Sequence, residues 1–243
     1  MEIPEGERKV PQMCFRECMG TAALVFSLNA SGGNAAAVAG ALFGSIMILA
    51  GRFNGGHFNP AVTLAVLTRE GMENFGHNFG LSLMLVFNQM IGAAIGFYAA
   101  TFLQVETVDE TRITAGIAKL CPSKSRHLSI RDCDPGDSWW AILATETITT
   151  FIFISVIMTA KYDVNGSKSL VYNAAAIAMT LYCMILCAVP VSGACLNPAV
   201  GVVQSAMQST YLGTTKGTIP LYILGPCLGG FLAALFSLFN ESA

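Results

Sequence analysis

The chain has 243 residues, of which 53% are apolar and only 12% are charged, about half the roughly 25% charged share of soluble domains. So few charges cannot cover a soluble globule of this size without leaving wide apolar patches, and the composition therefore predicts a membrane protein. The net charge of −2 argues against a nucleic-acid-binding protein, and the apolar content excludes a disordered chain.

Six apolar stretches are long enough to cross a bilayer core of about 30 Å, which takes about 20 helical residues. They lie at 12–30, 35–52, 79–103, 138–160, 170–190 and 218–239. An even number of spans puts both termini on one side, and the distribution of Lys and Arg marginally favours the cytoplasm for that side. We therefore predict an all-α, multi-pass integral membrane protein with cytoplasmic termini. The sequence does not separate a plasma membrane from an intracellular one.

Two of the connections, 53–78 and 191–217, begin with glycine-rich segments and then become apolar for only ten to twelve residues. Each contains Asn-Pro-Ala, at 59–61 and 197–199. Asn is a favoured N-cap and Pro a favoured first helical residue, so each tripeptide predicts the start of a helix. A helix over 59–69 would be about 16 Å long, half the thickness of the hydrocarbon layer. We therefore expect two re-entrant half-helices.

The chain also repeats itself. Glu17 has a counterpart in Glu146, Asn59 in Asn197, and Gly92 in Gly229, at offsets of 129, 138 and 137 residues. Three spans per half require the halves to insert with opposite topology, and in such folds the functional site lies at the midplane between the repeats. We predict a single transmembrane domain over 1–243, with inverted repeats near 12–103 and 138–239 joined by 104–137.

One Asn-Pro-Ala is expected by chance at roughly 10⁻⁴ of positions, so two copies at matching places are a specific signal. With His57-Phe58 before the first copy, Gln89, and Gly225-Pro226, the chain resembles the aquaporins, the major intrinsic protein family, over essentially its whole length. The resemblance implies six tilted spans, two half-helices that meet at the membrane centre, a pore in each monomer, and a homotetramer.

The two Asn-Pro-Ala segments predict the chemistry of the pore. Half-helices that enter from opposite faces bring their N-termini together, and the two positive dipole ends oppose the passage of cations. Asn59 and Asn197, as N-caps, keep amide NH₂ donors for a passing water, which must then turn its own hydrogens outward. Irregular backbone at this depth is tolerated where it faces a cavity. We expect it to line the pore at Gly55, Gly56, His57, Gly193 and Cys195.

Glu17 and Glu146 are ionisable residues within spans and therefore candidates for function. As transport groups they would form a proton relay; as structural groups they would accept hydrogen bonds from the backbone of the re-entrant loops. The repeat pairing and the family resemblance favour loop bracing. The ring of His57 could likewise line the pore or pack behind the loop, and we expect its carbonyl rather than its ring to face the pore.

Four residues form the narrowest point in the family, and counting from the two Asn residues gives Ala39, Ile185, Ala194 and Val200. The family pattern continues Asn-Pro-Ala-Arg in the second half-helix, whereas this chain has Val200. Valine supplies neither the fixed charge nor the donors of arginine. We therefore expect a wider, apolar constriction that does not reject small solutes strictly and that could gate by dewetting.

The sequence thus predicts a passive channel, not an enzyme, for water and small neutral solutes such as glycerol, urea, ammonia or hydrogen peroxide. Its expected partners are these solutes, the bilayer and copies of itself, with no nucleic acid, cofactor or metal. Two alternatives stay open: a proton-coupled secondary transporter that uses Glu17 and Glu146, and a structural membrane protein with a closed pore. A disulfide between Cys121 and Cys133 is compatible with the sequence and is not determined by it.

Overall fold

The structure is a computed structural model that describes residues 10–50, 56–70, 75–105, 120, 139–162, 167–212 and 217–242. Within these residues the chain forms α-helices and one π-helical turn and contains no strand. The elements are α1 Val10–Ala30, α2 Ala35–Ser45 continued by a π-helical turn Ile46–Ala50, α3 Pro60–Glu70, α4 Phe75–Val105, α5 Trp139–Tyr162, α6 Leu170–Ala188, α7 Pro198–Leu212 and α8 Ile219–Ser242.

Helices α2 and α6 begin where the sequence supplies a side-chain acceptor for the first free backbone N–H groups. The side-chain oxygen of Asn34 accepts hydrogen bonds at the start of α2, from Ala36 N at 2.9 Å and Ala37 N at 3.4 Å. Ser169 does the same for α6 through Tyr172 N at 3.3 Å. The half-helices α3 and α7 both begin at a proline, whose missing N–H costs nothing in the first turn.

Six of the eight helices correspond to the predicted spans. Four of them, α4, α5, α6 and α8, are long and apolar enough to cross a bilayer by length and composition. Helix α1 has 21 residues, enough for about 31 Å, but carries Arg16 and Glu17. The apolar helix that begins with α2 ends at Ala50 after the π-helical turn and is the shortest of the six. The second half-helix is longer than expected, at 15 residues.

The outer surface is apolar, as a lipid solvent requires. Large side chains that would be buried in a soluble protein are exposed here, among them Phe87, Phe102, Tyr172 and Phe239. Trp139 and Trp140 are exposed at the start of α5, the position of an interfacial aromatic belt. Fully buried polar side chains lie instead inside the helix bundle, and some of them, such as Glu17, Gln89 and Glu146, are next to the loops that precede the two half-helices.

Equivalent glycines allow close approach of the helices in two helix pairs. A Cβ atom on Gly92 of α4 would collide with the carbonyl oxygen of Cys18 in α1, and one on Gly229 of α8 would collide with the carbonyl oxygen of Thr147 in α5. Cys18 and Thr147 are themselves 129 residues apart. In both the α1–α4 and the α5–α8 pair, a glycine therefore allows the two backbones to pack closely. The half-helices lie between these two pairs.

Candidate functional site

The first residues of α3 and α7 meet inside the bundle. Asn59 caps α3, because its Oδ1 accepts from Ala61 N at 2.9 Å, and Asn197 caps α7 by accepting from Ala199 N at 3.0 Å. The amide nitrogen of each Asn also donates to the backbone of the other loop. Asn59 Nδ2 lies 2.8 Å from the carbonyl oxygen of Leu196, and Asn197 Nδ2 lies 2.9 Å from that of Phe58. These crossed bonds tie the two half-helices together at their N-termini.

The backbone before each Asn takes a left-handed turn. Phe58 has φ 52° and its counterpart Leu196 has φ 51°. Two residues earlier, Gly56 has φ 93° and Ala194 has φ 65°. Side chains other than glycine rarely adopt these angles, which cost of order 1–3 kcal/mol unless the surroundings enforce them. In both loops a buried carboxylate supplies the bonds that hold the turn.

Glu17 of α1 is fully buried and accepts four hydrogen bonds. Its Oε1 accepts from Gly56 N and His57 N, both at 2.8 Å, and its Oε2 accepts from Phe58 N at 2.7 Å. The fourth donor is Gln89 Nε2 of α4, at 2.7 Å from Oε2. Three successive backbone N–H groups of the first loop therefore point at one carboxylate, which compensates for the burial of its charge.

A side-chain network continues from Gln89 to the imidazole of His57. Gln89 Nε2 also lies 3.0 Å from Thr63 Oγ1, and His57 Nδ1 lies 3.1 Å from the same oxygen. The ring of His57 is therefore held against α3 by Thr63. Its second nitrogen, Nε2, is buried and has no hydrogen-bond partner among the described residues, so this nitrogen is shielded by the protein.

Glu146 of α5 holds the second loop with a related but different set of donors. Its Oε1 accepts from Cys195 N at 2.9 Å and its Oε2 from Leu196 N at 2.8 Å. The third donor is the hydroxyl of Ser192, at 2.5 Å from Oε1. Tyr222 of α8 in turn donates its hydroxyl to the carbonyl oxygen of Ser192 at 2.6 Å. Sequence reasoning missed Ser192 and Tyr222, because the repeat pairs them with no similar residue.

The predicted pore-lining residues differ in burial and in the contacts that they make. Gly55 lies outside the described residues. Gly56 and His57 are half-buried at the first loop, and Gly193, with φ 87°, occupies the second. Cys195 is buried, and its Sγ lies 3.0 Å from the carbonyl oxygen of Asn197, so this thiol packs within its own loop. Cys121 and Cys133 also lie outside the described residues.

The four predicted constriction residues do not all fall in one apolar cluster. Ile185 and Ala194 pack against the cluster that contains Phe58 and Leu196. Val200, on the first turn of α7, belongs to a second cluster with residues of α1 and α4. Ala39 is buried on α2. An additional finding is that Val62 follows Asn59 by three residues, as Val200 follows Asn197, so the N-cap and the first three residues are the same in the two half-helices.

The outer end of α3 is held by charged groups. Arg69 forms an ion pair with Glu241 of α8, donates through Nε to Ser237 Oγ at 3.2 Å, and lies over the ring of Tyr162 at 4.7 Å from the ring centroid. Glu70 pairs with Lys161 of α5 at 3.4 Å. These contacts link the last turn of α3 to the C-terminal ends of α5 and α8.

The body of α7 is held by uncharged groups. Asn29 of α1 and Gln204 of α7, both fully buried, exchange two side-chain hydrogen bonds of 3.0 and 2.9 Å. Near the end of α7, Tyr211 stacks on Phe97 of α4 with ring centroids 6.1 Å apart. Polar residues in otherwise apolar helices are the sequence signal that could have identified Asn29 and Gln204.

Comparisons with known proteins agree with this geometry. Residues 8–237 match the sequence profile of a family described as Major intrinsic protein. The chain is 28% identical over 186 residues to Aquaporin AqpM of Methanothermobacter marburgensis, covering 76% of this chain and 67% of that one. It is 26% identical over 193 residues to Glycerol uptake facilitator protein-like 6 of Lactiplantibacillus plantarum, covering 76% of this chain and 74% of that one.

The fold itself matches an X-ray structure of the aquaglyceroporin from Plasmodium falciparum. The TM-score is 0.76 at 15% sequence identity, with 96% of this chain and 100% of that chain covered. The family profile covers nearly the whole chain, and the bundle has the expected multi-pass, all-helical architecture. The chain is therefore an integral membrane protein of the major intrinsic protein family, whose members are channels and not enzymes.

Proposed function

We propose that this protein is a passive channel for water and small neutral solutes, with its pore at the point where α3 and α7 meet. The observation that carries the proposal is the pair of crossed hydrogen bonds between Asn59 and Leu196 and between Asn197 and Phe58. These bonds fix two helix N-termini side by side in the interior of a membrane protein. Backbone of this irregular kind is tolerated within a membrane where it lines a cavity.

The chemistry of the site favours neutral solutes. Each helix N-terminus carries about half a positive charge, so two of them form an electrostatic barrier to cations. Each Asn side chain has two N–H donors and spends one on the crossed bond, which leaves one for a passing solute. A water that accepts from both Asn residues turns its hydrogens outward, and this orientation opposes a continuous chain for proton transfer.

The proposed constriction comprises Ala39, Ile185, Ala194 and Val200. These side chains are small or aliphatic, so they offer no charge and no side-chain donors to a solute. A ring without buried polar groups cannot penalise a solute for failing to pair with them. We therefore propose permeability to at least one solute larger than water. Glycerol is the first to test, because two of the similar proteins are described as a glycerol uptake facilitator-like protein and an aquaglyceroporin.

The contacts of Glu17 and Glu146 favour a bracing role over proton-coupled transport. Both carboxylates are fully buried, and they accept four and three hydrogen bonds that hold the loops. A proton-relay group must change its protonation state during transport, and protonation here would break bonds that maintain the left-handed turns.

We also propose the family's homotetramer and cytoplasmic termini for this chain. The inverted repeats over 12–103 and 138–239 belong to the same proposal.

Flux measurements on reconstituted protein test the proposed function. Stopped-flow light scattering of proteoliposomes under a sucrose gradient should show water flow above that of empty vesicles, and inward gradients of glycerol or urea should show solute entry. Entry should stop at equal concentrations on both sides. Accumulation against a gradient, driven by pH, would indicate a transporter instead. Neither water nor solute flow would indicate a closed, structural protein.

A further inference from the structure

The two re-entrant loops bind their carboxylates through different numbers of direct bonds. In the first loop the N–H groups of Gly56, His57 and Phe58 all donate to Glu17. Their repeat counterparts are Ala194, Cys195 and Leu196, and only the last two donate to Glu146. The missing bond belongs to Ala194, one of the four proposed constriction residues.

The hydroxyl of Ser192 takes the place of that missing bond. Ser192 Oγ lies 2.5 Å from Glu146 Oε1 and 3.2 Å from the backbone nitrogen of Ala194. A carboxylate accepts only, so the hydroxyl proton points at Glu146 and the oxygen lone pairs accept from Ala194 N–H. The charged acceptor shortens and strengthens the first bond. The carboxylate therefore orients the Ala194 peptide through one inserted hydroxyl.

Tyr222 fixes the other side of Ser192. Its hydroxyl lies 2.6 Å from the carbonyl oxygen of Ser192, and both residues are fully buried. At the 137-residue offset Tyr222 corresponds to Leu85 of α4. The side chain of leucine has no hydrogen-bond donor. The first half uses Gln89 of α4 instead, which donates directly to Glu17. The third span of each half therefore donates one hydrogen bond to the support of its loop. In the first half this bond reaches the carboxylate, and in the second half it reaches the loop backbone.

We infer that Ser192 and Tyr222 are positioning residues for Ala194 and thereby determine the selectivity of the channel. Ala194 is held at φ 65°, a conformation that an alanine keeps only when its surroundings enforce it. Ser192 supplies that enforcement through the Ala194 N–H, and Tyr222 keeps Ser192 in place. The inference rests on the proposed function, because that proposal puts Ala194 at the constriction.

The test compares glycerol and water permeability in proteoliposomes that contain Tyr222→Phe, Ser192→Ala or Ser192→Thr. Tyr222→Phe and Ser192→Ala should raise the glycerol-to-water ratio, because an Ala194 peptide that is no longer held lets the constriction widen. The loss of one net hydrogen bond limits the increase to about fivefold. Ser192→Thr retains the hydroxyl and should keep the wild-type ratio. Tyr98→Phe, on the exposed face of α4, and Ser155→Ala, whose hydroxyl donates to the carbonyl oxygen of Phe151 within α5, serve as matched controls and should leave the ratio unchanged.

A purely structural role gives a different result. Loss of folded protein scales both permeabilities equally, so the ratio would remain that of the wild type. An unchanged ratio in Tyr222→Phe, with wild-type channels conducting, would overturn the inference even where Ser192→Ala fails to fold. Wild-type protein that conducts neither water nor glycerol would instead refute the proposed function, so the two failures are distinguishable.

Discussion

At their first residues α3 and α7 carry the same Asn cap and exchange the same crossed bond, whereas farther along they are held by different chemistry. The last turn of α3 is anchored by Arg69 and Glu70 through ion pairs. Helix α7 is anchored by the buried amide pair of Asn29 and Gln204. The inner ends match because the Asn of each half-helix donates to the loop that precedes the other. The rest of each half-helix need only be fixed to the bundle, and either type of contact can do so.

The largest expected effect separates the two carboxylates. In Glu17→Gln the new NH₂ group must face two donors whichever way the amide turns, because each oxygen of Glu17 accepts two bonds. Glu146 has one oxygen with a single donor, so Glu146→Gln loses one bond. At about 1–3 kcal/mol for each unpaired buried donor, we expect costs of about 2–6 and 1–3 kcal/mol. Thermal or chemical unfolding in detergent micelles measures the loss of stability in each variant. Equal losses, or a larger loss in Glu146→Gln, would contradict this count of unpaired donors.

An intermediate effect is expected at the amide pair of α1 and α7. Asn29→Leu leaves the buried Gln204 without this partner and should destabilise the protein by about 1–3 kcal/mol. The double variant Asn29→Leu with Gln204→Leu replaces both amides by apolar groups and should recover much of that loss. The same unfolding measurement, arranged as a double-mutant cycle, checks the coupling. Additive losses would show that the two amides act independently.

The smallest effect is expected at the outer end of α3. Arg69→Gln removes an ion pair whose partner Glu241 is half-exposed, and such pairs contribute at most about 1 kcal/mol. The loss should be largest at low ionic strength and vanish near 1 M salt, where the screening length is about 3 Å. Asn29→Leu is the control, since its cost should not depend on salt. A salt-independent cost for Arg69→Gln would argue that packing on Tyr162, and not charge, anchors α3.

The sequence predicted the helical architecture well because lipid imposes a strong composition signal. Predicted spans such as 170–190 and 218–239 agree within a few residues with α6 and α8. The half-helices were predicted to begin at Asn-Pro-Ala, where the structure begins them, because capping is a local property of the chain. The predicted length of the second half-helix was too short, since its end has no comparable local signal.

The tertiary contacts of the site were harder to predict. Periodicity and motifs do not show that Asn59 donates to the carbonyl of Leu196, because that bond joins residues 137 positions apart. The left-handed turns at Phe58 and Leu196 contradict ordinary side-chain preference and depend on the buried carboxylates. Ser192 and Tyr222 have no similar counterparts in the first half, so the repeat that guided the other assignments could not identify them.

Substitution at Val200 provides the most direct test of the central claim, that two helix N-termini form a neutral-solute pore with an unselective, uncharged constriction. The measurement is the glycerol-to-water permeability ratio of proteoliposomes that contain the wild type, Val200→Arg or the uncharged control Val200→Met. We expect the wild type to conduct both solutes, and Val200→Arg to lose more glycerol than water permeability and more than Val200→Met does. Equal losses of both solutes, or no loss, in Val200→Arg would contradict the account.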